Sequence, residues 1–374
     1  MSRPVIFVIL QTGARANGGL QSITEVMSRL KDHRPVVLTN LETDLTNTWR
    51  NGGFDVRVVT ERASAGFRSN PVEAARTYRD YHSVLTDLLE SSGAKVVHAN
   101  DPLAFQLALS AAKWRGARIV LNLRDTLDPD RRPPRLKYWT MFAAADHVFY
   151  LSNDMAERWR AVAGNAMRSC SVTYSIVDPE RFAPSSKPAA GRPMVLVSGI
   201  FRPKKGQLEF IRNVVPKLAE QGIETWFAGD FEPGSDPYSA GCVAAAEPFA
   251  DRVRFLGFRQ DLPELFARAS VVAVPSRHEG LMRGMIEAMS CGSPVVSFDV
   301  CSAREILEEK SDAAGTVVRS GDFDGMAEAL LRYATQPEAH ALASSAGIAA
   351  ARTLFDPAQV VERYERVYQD LDQR

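Results

Sequence analysis

The feature that most restricts the fold of this chain is a repeated alternation of two kinds of segment. Short runs rich in Val, Ile and Leu recur along the sequence, and longer segments with apolar residues at helical spacing separate them. Parallel strands need a crossover connection long enough to contain a helix, so this alternation is typical of parallel sheets. We therefore predict an α/β fold built from doubly wound sheets.

The alternation occurs in two series. In the first series we predict helices over residues 20–30, 71–91, 102–115 and 153–163, and strands over Val5–Leu10, Val36–Thr39, Val56–Val59, Val96–Ala99, Ile119–Leu123 and His147–Leu151. Residues 176–193 then form a stretch with several Pro, Ser and Gly residues, which is typical of an interdomain connection. In the second series we predict strands over Met194–Ser198, Thr225–Ala228, Val253–Leu256, Val271–Val274, Pro294–Phe298 and Gly315–Val318.

The length of 374 residues exceeds what one hydrophobic core usually supports. We predict an N-terminal domain over residues 1–180, a linker over 181–193, a C-terminal domain over 194–355 and a final helix over 356–374. That helix has Val360, Val361, Tyr364 and Tyr368 on one face, so we expect it to pack back toward the N-terminal domain. Two such domains make a cleft, and open parallel sheets bind ligands beyond the carboxyl ends of their strands.

Charge and cysteine content exclude several classes of protein. The 45 basic side chains balance 45 acidic ones, so the chain has no overall attraction to nucleic acid, and none is predicted as a partner. The four cysteines form no Cys-x-x-Cys pair, which argues against a zinc site and favours a reducing cytoplasm. No apolar run approaches the roughly 20 residues of a membrane span. We expect a cytoplasmic protein that is soluble or attached only to a membrane surface, at its inner face.

The stretch from Pro275 to Val296 is the most informative about function. Its pattern predicts a strand end, a turn, a short helix from about Arg283 to Cys291 and a new strand. Such a helix presents its free N–H groups and its positive dipole end to a ligand, which suits a diphosphate. Glu279 lies in the turn and Glu287 in the helix. Two glutamates at this spacing also arise by chance, so spacing alone leaves both possibilities open.

The whole segment resembles the Glu-x7-Glu signature of the retaining glycosyltransferases of family four. Glu279 and Glu287 are followed by Ala-Met-x-x-Gly-x-Pro-Val-Val, and the upstream Gly257-Phe-Arg-x-Asp261-Leu-Pro also fits the family. The resemblance extends over nearly the whole chain but is specific mainly in its C-terminal half. Weaker matches lie at Gly18-Gly19, Val177–Phe182, Phe355-Asp356 and Tyr364–Tyr368.

This resemblance implies a GT-B fold, with two Rossmann-like doubly wound domains facing across a cleft. It implies a nucleotide-diphosphate sugar as donor substrate, retention at the anomeric carbon, and no metal or other cofactor. Glu279 would be the catalytic group beside the donor sugar, and Glu287 would accept hydrogen bonds from the ribose. Backbone groups would bind the base near Phe258 and Arg259, and the sugar and phosphates at Gly280, Leu281, Met282, Arg283 and Gly284.

Cationic side chains must stabilise the leaving diphosphate when no metal does so. Arg202 and Lys205 are candidates, because they follow the first strand of the second series, where phosphates bind in doubly wound folds. Both also fit solvated charges in a loop. Family members usually carry an arginine where this chain has Ile200, and either Arg202 or Arg283 can supply the missing charge.

The N-terminal half offers a second set of candidates. Gly18 and Gly19 precede a helix and would let the backbone approach the donor phosphate. The family often has histidine at the positions of Arg124 and Asn100. Arg124 is predicted as a catalytic residue that stabilises the leaving phosphate or holds an acidic acceptor, but it can equally form a structural pair with Asp125.

Two histidines lie near candidate site positions. We expect His98, at the end of a strand, to be a buried structural residue, whereas His278 beside Glu279 fits either role. A basic aromatic patch, residues 131–139, places four cations beside Tyr138 and Trp139. It can contact anionic lipid headgroups or a lipid-diphosphate acceptor, but it also fits a solvated helix start with its aromatic rings packed inward.

Together these features predict a retaining, metal-independent hexosyltransferase. It would move a hexose from a nucleotide-diphosphate sugar to a saccharide or lipid-linked saccharide, in the synthesis of cell-surface polysaccharide or glycolipid. The alternatives are a sugar-nucleotide epimerase or phosphorylase of the same fold, or a non-catalytic nucleotide-sugar-binding subunit, which the departures at Arg124 and Asn100 would suit.

Overall fold

A computed structural model describes residues 2–11, 18–59, 70–126, 135–185 and 192–373. The chain divides into two compact units. Unit 1 comprises Met1–Ile176 and Pro357–Arg374, and unit 2 comprises Val177–Asp356. The predicted linker, residues 181–193, falls within unit 2, and its residues 186–191 lie outside the described chain.

Unit 1 contains a seven-stranded sheet in the order β3-β2-β1-β4-β5-β6-β7. Its strands are β1 Arg3–Ile9, β2 His33–Thr39, β3 Asp55–Val58, β4 Val96–Ala99, β5 Arg118–Leu123, β6 His147–Tyr150 and β7 Cys170–Val172. Its helices are α1 Gly18–Met27, α2 Asp44–Asn51, α3 Pro71–Ser92, α4 Pro102–Trp114, α5 Arg135–Ala144, α6 Asn153–Ala163 and α14 Pro357–Asp372. Neighbouring strands pair in parallel, with Ile6 opposite Val36 on one side and Val97 on the other.

Unit 2 contains a six-stranded parallel sheet in the order β10-β9-β8-β11-β12-β13. Its strands are β8 Met194–Ser198, β9 Glu224–Ala228, β10 Val253–Phe255, β11 Val271–Val274, β12 Val295–Phe298 and β13 Gly315–Val318. Its helices are α7 Gln207–Asn213, α8 Val215–Glu220, α9 Pro237–Ala246, α10 Leu262–Arg268, α11 Arg283–Ser290, α12 Phe323–Thr335 and α13 Pro337–Leu354. A π-helix, Glu305–Glu309, follows β12.

The predicted α/β class is confirmed, and each predicted strand is present with its ends shifted by at most a few residues. The strand β7 and the helices α2 and α5 were not predicted. β7 is short and only partly buried at the edge of the sheet, so it lacks an apolar run. α2 is polar and begins with a Thr43–Thr46 capping box, in which threonine replaces the usual glutamate.

The C-terminal helix α14 packs on unit 1, as predicted. Its Val360, Val361, Tyr364 and Tyr368 join the core that contains β1, β2 and β4. A polar contact adds specificity, because the Glu365 carboxylate accepts hydrogen bonds from the Lys31 and Asp32 N–H groups and binds the His33 ring. The helix therefore both covers apolar sheet surface and satisfies backbone donors at the start of β2.

His98 on β4 lies at the centre of the aromatic part of this core. Its ring is fully buried, and its Nδ1 lies 2.8 Å from the Tyr368 hydroxyl. Burial, with smaller contributions from Arg124 and His147, lowers the pKa of His98 from 6.5 to about 3. The ring is therefore neutral near pH 7, which agrees with the structural role expected of it.

We expect His98 to make unit 1 less stable in acid. Below pH 6.5 His98 binds a proton in the unfolded chain, whereas in the folded chain it stays neutral down to about pH 3. The free energy of unfolding should therefore fall by about 1.4 kcal/mol per pH unit as the pH decreases through this window. Urea unfolding followed by tryptophan fluorescence, from pH 7 to 5, should show this slope in the wild type and a smaller one in His98→Gln. Identical slopes would contradict the assignment.

Candidate donor site

The candidate site in unit 2 lies where the strand order reverses. β8 has β9 on one side and β11 on the other, and the chain continues outward in both directions from this pair. In doubly wound folds such a reversal opens a crevice at the carboxyl ends of the two central strands. The loop that follows β8 contains Arg202 and Lys205, and the loop that follows β11 contains Glu279. The topology thus brings together the two segments selected from the sequence.

Glycine lets the backbones of these loops touch. Gly206 has φ 72°, and a Cβ at this position would lie 2.1 Å from the Pro275 carbonyl oxygen. The Arg277 N–H donates a hydrogen bond of 2.8 Å to the Lys204 carbonyl. Gly229, after β9, packs as closely, since a Cβ there would lie 2.0 Å from the Gly199 oxygen. No larger residue fits these positions without displacing backbone.

Lys205 and Glu279 form an ion pair inside this crevice. The Lys205 Nζ lies 2.6 Å from Glu279 Oε1, and only 15% and 10% of the two side chains are exposed. Gly199 packs beside the lysine, and its φ of 137° is one that residues other than glycine rarely adopt. A pair so shielded from water is electrostatically stronger than a surface pair, and each charge compensates the other's loss of hydration.

A second ion pair lies at the start of α11. Arg283 binds Glu287 one turn later, with an NH2–Oε1 distance of 2.9 Å. The helix N-cap is Met282, whose side chain makes no capping hydrogen bond. No side chain therefore caps the first turn, and the positive end of the helix dipole lies where it favours an anion.

The helix α11 also approaches β8 very closely. A Cβ at Gly284 would lie 2.3 Å from Ser198 Oγ, so with serine at position 198 only glycine brings the helix start this near to the end of the strand. This contact sets the distance between the first turn of α11 and the end of β8.

The other candidates of unit 2 lie at the edge of this arrangement. The Phe258 side chain follows β10 and is 56% exposed. Arg259 forms a bidentate pair with Asp261, and both side chains are solvent-accessible. Arg202 is exposed and contributes to the lowered pKa of Asp236, which comes mainly from hydrogen bonds of Asp236 with Ser239. Their predicted contacts with base and phosphate stay predictions.

In unit 1, Arg124 belongs to a cluster of hydrogen-bonding groups beyond the end of β5. Its NH2 lies 3.4 Å from Ser175 Oγ, and its side chain also bonds the Tyr364 hydroxyl of α14. Asn122 donates to the buried Asn100, at 3.4 Å. Burial is the main reason that the pKa of Tyr364 is raised, and its hydroxyl oxygen accepts a hydrogen bond from Thr173 Oγ1.

The remaining candidates of unit 1 are only partly described. Gly18 and Gly19 form the start of α1, whereas their neighbour Asn17 lies outside the described residues. Residues 131–134 of the basic aromatic patch also lie outside them. In the rest of the patch, Tyr138 packs edge-on against Trp159, while Trp139 is 49% exposed. The two aromatic rings of the patch therefore differ, one facing inward and the other outward.

Sequence reasoning missed several polar residues at these positions. Asn122 could have been predicted, since an amide inside the apolar run Ile119–Leu123 needs a buried hydrogen-bond partner. Ser175 and Ser302 could not have been predicted, because serine is common in loops. Within the described residues, no cluster of three or more His, Cys, Asp or Glu side chains could hold a metal ion, and no helix is long and apolar enough to cross a membrane.

Comparisons with known proteins agree with this architecture. The family model for glycosyl transferases group 1 matches residues 192–336, and the model for glycosyltransferase family 4 matches residues 41–181. The two models together span most of the chain. The chain therefore belongs to the family 4 glycosyltransferases, as its resemblance to that family predicted.

Curated relatives match over part of their length. The lipopolysaccharide core biosynthesis mannosyltransferase LpsB of Rhizobium meliloti is 29% identical over 33% of this chain and 35% of that protein. The D-inositol 3-phosphate glycosyltransferase of Saccharomonospora viridis is 31% identical over 45% of this chain and 42% of that protein. The chain thus matches less than half the length of these relatives.

Solved structures extend the likeness to the whole fold. Anabaena HepE, solved in complex with UDP and glucose, superposes with a TM-score of 0.80 and 21% identity, covering 98% of this chain and 99% of HepE. An identity this low supports the fold alone. The predicted GT-B class is confirmed.

The close contact between Gly284 and Ser198 predicts that the effect of Gly284→Ala on stability depends on the residue at position 198. Gly284→Ala should lower the free energy of unfolding by about 1–3 kcal/mol, because the new methyl group meets Ser198 Oγ. In a Ser198→Ala background the nearest atom of residue 198 is the Cβ at 3.7 Å. There the same change should be neutral or stabilise by up to about 1 kcal/mol, since Ala favours helix. Urea unfolding of the four proteins measures both effects, and equal values in the two backgrounds would contradict the contact.

Proposed function

We propose that this protein is a retaining glycosyltransferase that uses a nucleotide-diphosphate sugar as donor. The observation that carries the proposal is the shielded Lys205–Glu279 ion pair at the reversal of strand order in unit 2, beside the uncapped start of α11. This position suits an anionic ligand with a polar head, because it combines a cation, the positive end of a helix dipole and a carboxylate acceptor. Membership of family 4 supports the same assignment.

The reaction requires charge to be stabilised at two places. As the glycosidic bond to the leaving diphosphate breaks, positive charge develops on the sugar and negative charge on the diphosphate oxygens. Lys205 and the first-turn N–H groups of α11 are suited to the diphosphate, and the Glu279 carboxylate is suited to the sugar hydroxyls. Glu287, at the other end of the same segment, would accept hydrogen bonds from the ribose. Arg202 would provide a further cation from the loop after β8.

The acceptor is proposed to bind to unit 1. Arg124, held by Ser175 and Tyr364, offers a guanidinium group for an acidic acceptor or for the leaving phosphate. The relatives include proteins named for lipopolysaccharide core and O-antigen chain synthesis. By analogy, we propose a saccharide or lipid-linked saccharide as acceptor, and a role in building cell-surface polysaccharide or glycolipid.

Identifying the donor is the first experiment. HepE was solved with UDP and with UDP-glucose, and LpsB is named a mannosyltransferase, so uridine and guanosine diphosphate sugars lead the panel. A thermal-shift screen of uridine, guanosine and adenosine diphosphate sugars should raise the melting temperature with one base class, because a ligand that binds only the folded state stabilises it by mass action. No shift with any of the three would contradict the proposed donor.

Substitution of each member of the Lys205–Glu279 ion pair should distinguish donor binding from the chemical step. Lys205→Met keeps the length of the side chain but loses its charge, so the Kd for the donor should rise about 10- to 100-fold. Glu279→Gln keeps the shape of the side chain but loses the carboxylate beside the sugar, so kcat should fall by about 10²- to 10³-fold. Calorimetry gives the Kd, and release of the nucleoside diphosphate gives kcat.

Lys217→Met is the matched control for these variants. Lys217 also forms an ion pair, with Asp324, but it lies on α8 just before the start of β9, whereas the candidate site lies in the loops after β8 and β11. It should bind and turn over the donor as the wild type does. Full activity of Glu279→Gln would refute the catalytic assignment of Glu279, whatever the binding data.

The alternatives differ from a transferase in their products. An epimerase would return an altered sugar nucleotide and a phosphorylase a sugar phosphate, whereas a transferase forms a new glycosidic bond to an added acceptor. A binding subunit would bind the donor without turnover across a broad acceptor panel. Proton NMR of the products therefore separates all four possibilities, because an epimer has the mass of its substrate but different ring couplings.

We further propose that the protein works at the inner face of a membrane, through α5. Leu136 and Trp139 lie one helical turn apart and are 76% and 49% exposed. Arg135 and Lys137 are exposed beside them. An exposed apolar pair flanked by cations suits insertion among anionic lipid headgroups.

A double variant tests this proposal. Leu136→Ser with Trp139→Ser should lower binding to phosphatidylglycerol-containing vesicles about 10-fold, because it removes the inserting apolar area. Trp114→Ser is the control, since Trp114 is 77% exposed at the end of α4. Co-sedimentation measures binding, with phosphatidylcholine vesicles as the uncharged reference. Equal binding by the double variant and the wild type would refute a membrane role for α5.

A further inference from the structure

Ser302, in the turn after β12, has an uncommon backbone conformation. Its φ is 72°, in the left-handed region where residues other than glycine are rarely found. Its side chain is fully buried, and the turn is tight, since the Ala303 N–H donates to the Val300 carbonyl at 3.0 Å. Strained residues persist only where their surroundings hold them, and they cluster at functional sites.

The hydroxyl of Ser302 reaches into the candidate site. Its Oγ donates a hydrogen bond of 2.7 Å to the carbonyl oxygen of Gly280, the residue after Glu279. Both partners are buried, so the bond is protected from competing water. This contact joins the turn after β12 to the loop between Glu279 and the start of α11.

A hydrogen bond to the Gly280 carbonyl also orients the next N–H group. The peptide bond between Gly280 and Leu281 is trans and planar, so its carbonyl and its N–H point in opposite directions. When Ser302 fixes the carbonyl on its own side, the Leu281 N–H must point away from Ser302. A peptide plane without this anchor could rotate and lose that direction.

We propose that Ser302 is a positioning residue for the donor. It fixes the Gly280–Leu281 peptide so that the Leu281 N–H is held ready to donate to the transferred sugar or to the phosphate that carries it. This inference rests on the proposed function, because it assigns a task within the same site. It also explains why a strained serine stands where glycine would be relaxed: glycine would adopt the turn but would lack the hydroxyl.

Two substitutions separate positioning from folding. Ser302→Gly removes the hydroxyl and relieves the backbone, whereas Ser302→Ala removes the hydroxyl and keeps the unfavourable φ. Both should weaken binding of the sugar nucleotide about 10-fold, the equivalent of about 1.4 kcal/mol for one hydrogen bond to a charged group. Ser302→Ala should lower the melting temperature more than Ser302→Gly, because both lose the hydrogen bond and only glycine relieves the backbone.

The readout is the ratio of two dissociation constants measured by calorimetry. The probes are UDP-glucose and UMP, or GDP-mannose and GMP if the wild type binds guanosine. UMP lacks the glucose and the second phosphate of UDP-glucose. Its Kd should therefore be unchanged in both variants, while the Kd of UDP-glucose rises. A purely structural defect would weaken both ligands alike.

Ala313→Gly is the matched control, because Ala313 also has a left-handed φ, of 69°, but lies in the turn before β13. Its Kd ratio should equal that of the wild type. If Ser302→Gly and Ser302→Ala have the same ratio of dissociation constants as the wild type, the proposal for Ser302 is overturned and the proposed donor site is not. Failure of the wild-type protein to bind either pair of probes or ADP-glucose would overturn the proposed donor site, and the role of Ser302 with it.

Discussion

Parallel pairing of the strands is the constraint on which the rest of this protein depends. Each strand pairs in parallel with its neighbours in both units, so each connection must return over a face of the sheet before the next strand begins. As a result the carboxyl ends of all strands in a sheet lie along one edge. The strand order then decides which loops meet there, and in unit 2 it places the loops after β8 and β11 side by side. Neither loop needs to be near the other in sequence.

Topology brings the loops together, but glycine sets how closely they approach. Gly206, Gly229 and Gly284 each stand where a Cβ would lie within about 2.3 Å of a neighbouring atom. These contacts draw the loop after β8 toward β11 on one side and the start of α11 toward β8 on the other. Because of this, Lys205 can reach Glu279 across two loops while remaining shielded from water. The ion pair is thus a product of backbone packing rather than of local sequence.

The sequence predicts what depends on local pattern and on family motifs, and it does not predict what depends on distant contacts. Strands such as Val271–Val274 and helices such as Pro102–Trp114 follow from apolar periodicity and a proline start. The site segment at Glu279 follows from its motif. The pairing of Lys205 with Glu279 joins residues far apart in the chain. The contact of Ser302 with Gly280 depends on a left-handed backbone angle that cannot be predicted from a serine in the sequence. The polar cluster around Arg124 likewise needs Tyr364 from the last helix.

The charges of the site show why a third cation is useful. Lys205 and Arg283 are each paired with a glutamate, so these four groups sum to zero and avoid the cost of buried unpaired charge. A bound diphosphate would add negative charge to a neutral set. Its binding must therefore draw Lys205 away from Glu279 or recruit positive charge from elsewhere. Arg202 is exposed in the same loop, and the first turn of α11 adds the helix dipole. If the diphosphate takes Lys205, the Glu279 carboxylate is released to accept hydrogen bonds from the sugar. In the proposed site, one ion pair would thus couple binding of the donor to release of the Glu279 carboxylate.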